Sequence, residues 1–94
     1  MKNSSETIYK KAIFKFGVRA QMDMAIEECA ELIQAINKWR RNPSIGMGNI
    51  AEEVADVEIM CSQLRLMLHG LDRSVDEIKE SKITRLDNYI NKES

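Results

Sequence analysis

Glu27-Glu28-Cys29-Ala30-Glu31, and its echo Glu52-Glu53-Val54-Ala55-Asp56, decide how this chain is read. Each stretch holds two carboxylates three residues apart, Glu28/Glu31 and Glu53/Asp56. Three apart on a helix means one face, one side chain above the other. Two such pairs on two adjacent helices would aim four acids at one spot. Such a cluster must be protonated, paired with bases, or neutralised by a cation.

Working outward, the first stretch lies in a pattern running from about 20 to 41. Met22, Ala25, Ile26, Cys29, Leu32, Ile33, Ile36 and Trp39 form a wide apolar arc at 100° per residue. Glu28 falls inside that arc, Glu31 at its margin and Glu27 on the polar side. Lys38, Arg40 and Arg41 load the last turn with positive charge, which suits the helix dipole, and Asn42-Pro43 stops the helix. The second stretch opens a helix over about 50–69, with Asn49 and Glu52 at capping-box spacing and Gly70 as its stop. Ile50, Val54, Val57, Cys61, Leu64, Leu68 and Leu71 make a heptad-like seam. Glu53 and, less so, Asp56 project toward apolar neighbours. Ile59 and Leu66 form a second patch on the far side, which asks for more neighbours than one small protomer supplies.

Before these, Ile8, Tyr9, Ala12, Ile13 and Phe16 predict a helix over about 4–16, capped by Asn3 with Glu6 and ended by Gly17. After them, a helix over about 75–90 starts past Ser74, with Glu77 at capping-box spacing. Its expected buried stripe is Val75, Ile78, Ile83, Leu86 and Ile90, with Lys79 and Lys82 inside the stripe and Arg85 at its edge. The fold class is therefore all-α: one domain over 1–94, four helices, a bundle-like protomer whose core oligomerisation completes. A core of 94 residues is marginal by itself.

Composition narrows the function. Net charge is −1 with no block of like charge, so a nucleic acid polymer is a poor partner. No apolar run approaches the ~20 residues of a membrane span. The N-terminal residues lack an apolar signal core, so a cytoplasmic location is expected. Cys29 and Cys61 fall within apolar patterns and read as reduced core residues.

The acids carry the chemistry. No Lys or Arg lies one helical turn from Glu53 or Asp56. An all-oxygen, anionic donor set suits Mg²⁺, with Mn²⁺ as a substitute; zinc or iron would want His or Cys. The helical di-iron pattern needs Glu-x-x-His, and His69, the sole histidine, is not so placed. Mg²⁺ held by few carboxylates keeps waters and tends to meet phosphates. Lys79, Lys82 and Arg85 could cover phosphate oxygens, or Lys79 and Lys82 could run their stems over the core with their charges in water. Trp39 has two readings, a base-stacking residue or, the simpler one, a helix-end core or interface residue.

Glu28-x-x-Glu31 followed across a loop by Glu53-x-x-Asp56 resembles the signature of the MazG-like all-α nucleoside triphosphate pyrophosphohydrolases, which include dimeric dUTPases and dCTP pyrophosphatases. Glu27 to Leu32, Ala51 to Val57 and Lys82 to Leu86 carry the resemblance, which spans about 16–89. It implies a dimer or tetramer that hydrolyses a nucleoside triphosphate to the monophosphate and pyrophosphate. Glu28, Glu31, Glu53 and Asp56 would be metal ligands, and one of them would orient or deprotonate the attacking water. Some relatives carry Asn and Arg after the C-terminal lysine where this chain has Arg85 and Asn88. The reading from a different class is a non-catalytic helical interaction or nucleotide-binding module, with the acids as surface charge. A third is hydrolysis of another nucleotide, such as an alarmone.

Overall fold

The computed structural model describes the backbone of residues 2–93 and the side chains of residues 5–92. Among them are four α-helices: α1 (Lys2–Phe16), α2 (Val18–Arg41), α3 (Gly48–Met67) and α4 (Leu71–Glu93). A short 3₁₀ turn, Pro43–Ile45, lies between α2 and α3. No strand occurs among the described residues, and none of the helices is long and apolar enough to cross a membrane. The all-α architecture inferred from apolar spacing is the one observed.

The helices end where local chemistry ends them. Gly17 alone forms the joint between α1 and α2, at φ 94° and ψ 152°. That backbone conformation is open to glycine and little else. Pro43 opens the 3₁₀ turn after Asn42, as a residue lacking an N–H can. The capping partners differ from those the spacing suggests. Asn3 lies outside the described side chains. Asn49 sits within the first turn of α3, and Met47 holds the cap position with no side-chain bond. α4 begins at Leu71, a turn before Ser74, because Gly70 turns the chain at φ 81° and its carbonyl accepts the Ser74 N–H. Glu77 pairs with Arg73 instead of capping.

α2 and α3 run antiparallel and make the main contact of the molecule; α1 lies against both, and α4 touches α3 alone. The contact face of α2 is formed by Gln21, Ala25, Glu28, Leu32 and Ala35, while Ile26, Cys29, Ile33 and Ile36 stay exposed. On α3 the facing residues are Glu53, Asp56, Met60 and Gln63. Val54, Cys61 and Leu68, expected in a seam, are exposed. Both cysteines are free thiols at the surface and not core residues. The Leu66 side of α3 is met within the protomer: Leu66 and Ser62 share a cleft with Ser5, Glu6 and Tyr9 of α1. Ile8 and Phe16 of α1, expected on its inner face, are exposed.

α4 departs most from expectation. Leu71 and Val75 are half-buried at its base, and every described side chain from 76 to 92 is exposed. Its apolar stripe therefore buries nothing beyond Val75. Arg65 fastens the base, its Nη1 lying 3.0 Å from Asp72 and 2.7 Å from Asp76.

Candidate metal centre

Antiparallel pairing of α2 with α3 brings the acids together. Glu28 meets Asp56 and Glu31 meets Glu53 across the seam. Gln21 meets Gln63 further along it. In each facing pair the two residue numbers have the same total, the mark of two antiparallel helices in unbroken register. The spacing of three within each motif then stacks one acid pair above the other.

Carboxylate oxygens of Glu28, Glu53 and Asp56 lie within 4.8 Å of one another, and all three residues are half-buried. Glu31 is close enough to act on both Glu28 and Glu53. Oε2 of Glu53 is buried and has no hydrogen-bond partner. Two ionised carboxylates offer each other only acceptors, so the pairing with Glu31 supplies no donor. None of the ion pairs among the described residues involves the four acids.

Electrostatics follow from this crowding. The Asp56 carboxyl, sharing a hydrogen bond that needs a proton, is the largest cause pushing Glu28 up from 4.5 to about 7. Desolvation and Glu31 push the same way. Glu53 is also raised, first by desolvation and then by Glu31. The cluster thus resists full ionisation unless a positive charge enters.

The donor set fits a hard divalent ion. Mg²⁺ takes oxygen ligands at 2.0–2.1 Å, which places neighbouring ligand oxygens about 3 Å apart and opposite ones about 4 Å apart. The orphaned Glu53 oxygen is the atom such an ion would satisfy.

The other residues singled out from the sequence do not join the cluster within one protomer. Lys79 and Lys82 line an open apolar groove with Val75, Ile78, Ile83 and Leu86 on α4, a helix that does not touch α2. Arg85 lies on another face with Glu77, Glu80, Ser81, Thr84 and Asn88. Trp39 is half-buried near the end of α2 and does not line the cleft beside the acids. That cleft, about 220 Å³, is bounded by Glu31, Gln34, Ala35, Lys38, Asn49 and Glu53. Spacing one turn either side of Glu53 and Asp56 does not reach Lys38, which is on the other helix. It stands two turns along α2 from Glu31, on the same face, and forms no ion pair there.

No family model matches the chain, and neither a characterised protein nor a solved structure matches it.

Proposed function

We propose that the chain is a divalent-ion-dependent nucleotide pyrophosphohydrolase that cleaves a nucleoside triphosphate to the monophosphate and pyrophosphate. One observation carries the reading: three carboxylates from two helices come within 4.8 Å of one another, with a buried Glu53 oxygen lacking any donor. Glu28, Glu53 and Asp56 would hold Mg²⁺, or Mn²⁺ in its place, with Glu31 completing the ring. A bound ion of this kind neutralises phosphate charge and makes a coordinated water easier to deprotonate. The chain's own part is to fix the carboxylates on rigid helices, so that the ion meets a preformed set of oxygen donors. Lys38 lines the same cleft and would meet an anionic group of the substrate. The resemblance of the paired acid motif to the MazG-like enzymes supports the choice of triphosphate.

The test is pyrophosphate release from a panel of ribo- and deoxyribonucleoside triphosphates, with and without Mg²⁺. Ion-dependent release from at least one of them, lost in Glu53→Gln, is the expected result. No turnover, together with no ion-dependent rise in melting temperature, would leave the non-catalytic interaction module as the better account.

The protein acts as a homo-oligomer in this proposal. The protomer exposes 7773 Å², against about 5,500 Å² for a compact chain of this mass. Its radius of gyration is 16.3 Å, against about 12 Å for a compact domain of this length. The surplus area, about 2,200 Å² per protomer, is of the size an obligate interface removes. Much of it is apolar: Ile26 and Ile33 on α2, and Ile78, Ile83 and Leu86 on α4, are each more than half exposed. A second copy is the occupant that fits, because both faces then find apolar partners at once. In such an assembly Lys79 and Lys82 could approach a neighbour's carboxylates.

A further inference from the structure

Gln21 and Gln63 are the most deeply placed polar side chains described, at 8% and 5% exposed. They face each other across α2 and α3, and the Gln21 Nε2 donates to Gln63 Oε1 at 2.7 Å. The pair stands one heptad along the same seam from Glu28 and Asp56, about 10 Å at 1.5 Å per residue. Its setting is unusual for two amides. The buried apolar residues are Ala25, Ala35 and Met60. Alanine lets helices approach but has no shape that fixes their rotation. Methionine adapts to whatever surrounds it. So the most deeply buried apolar residues hold the helices near each other and do little to specify their phase, and branched side chains such as Leu32 are only half-buried.

The two ends of the seam differ. At one end, the segment of residues 42–47 ties α2 to α3. Gln21 lies in the opening turns of α2 and Gln63 near the close of α3, so the amide bond closes the other end. Between the two ties lie the carboxylates, which repel one another. A directional bond between two buried amides resists both splaying and rolling of the helices, as single buried polar residues do in coiled coils.

We propose that the Gln21–Gln63 hydrogen bond is a positioning clamp that fixes the spacing and rotation of α2 on α3 and so holds the four carboxylates in ion-binding geometry. The ion-binding half of this statement rests on the divalent-ion reading above; the spacing half does not. Neither glutamine touches ion or substrate.

The experiment uses the native thiols. Cys29 on α2 and Cys61 on α3 are both exposed and free. Nitroxide labels on them, in chain diluted with unlabelled protein, report the distance between the helices by pulsed electron paramagnetic resonance. Gln21→Leu with Gln63→Leu removes the bond while keeping the volume, and Gln21→Met with Gln63→Met is the second pair if the first fails to fold. Replacing both partners together leaves no orphaned amide, so the melting temperature should hold or rise. The expected result is a broader distance distribution, with Mn²⁺ bound about tenfold more weakly, as when a supporting partner of a ligand is lost. A distribution as narrow as in the unmodified chain overturns the clamp, whatever the ion affinity. If the unmodified chain binds no Mn²⁺, the divalent-ion reading fails, and the distance measurement still decides the clamp.

Discussion

At the scale of single residues, the cluster makes stability depend on pH with a sign opposite to ordinary acid unfolding. Glu28 holds its proton to about 7 in the folded chain, against 4.5 in its ordinary state. Between those values the unfolded chain has released a proton that the folded chain still carries. The stability that Glu28 contributes is therefore fully present below about pH 4.5 and is lost as pH rises toward 7. Glu53, raised in the same direction, adds to the trend. Urea melts of the ion-free protein at pH 5 and pH 7.5 should show the higher midpoint at pH 5, and Glu28→Gln should flatten the difference. Mg²⁺ should reverse the order, because ion binding requires the carboxylates to ionise. Glu53→Gln acts on the same balance. It replaces a buried acceptor that lacks a donor with an amide that can donate to Glu31. The ion-free melting temperature should rise, while pyrophosphate release should fall by more than the ~10–100-fold typical of losing an outer partner of a metal ligand.

Elements add their own tests. Gly17 joins α1 to α2 at φ 94°, with open space where a Cβ would go. Gly17→Ala therefore meets no clash, and its cost is backbone strain alone, about 1–3 kcal/mol. A denaturation midpoint unchanged by this substitution would contradict the strained joint. α4 is the element least held. Arg65 spans Asp72 and Asp76 at its base, but exposed ion pairs contribute only about 0–1 kcal/mol. Arg65→Met should change global stability little. It should speed amide exchange in the first turns of α4 while leaving the α2–α3 seam protected.

For the whole molecule, the prediction concerns assembly. Among the described residues Ala25, Ala35 and Met60 are the buried apolar ones, a small core for one chain, and the proposed assembly would enlarge it. Sedimentation at micromolar concentration should give a dimer or larger species. Ile83→Glu, in the exposed α4 stripe, should shift it toward monomer with a lower melting temperature. An unchanged sedimentation coefficient in that variant would mean that α4 is not part of the interface.

Four helices, roughly where each ends, and two acid pairs that each share a face are legible in the order of residues. Those are local properties: 3.6-residue periodicity, a Gly or Pro that cannot continue a helix, and a spacing of three. The order of residues did not determine which half of the α2 arc meets α3. The apolar arc centres on residues such as Ile26, Cys29 and Ile33, yet the contact runs through Gln21, Ala25, Glu28 and Ala35. Alanine lets two backbones approach closely, and the glutamine and glutamate side chains find partners across the seam that hydropathy does not register. Packing in three dimensions sets that Glu28 faces Asp56, that Lys38 shares a cleft with Glu31 and Glu53, and that α4 leaves the bundle after Val75. The phase between two helices belongs to the pair of surfaces, and neither surface carries it alone.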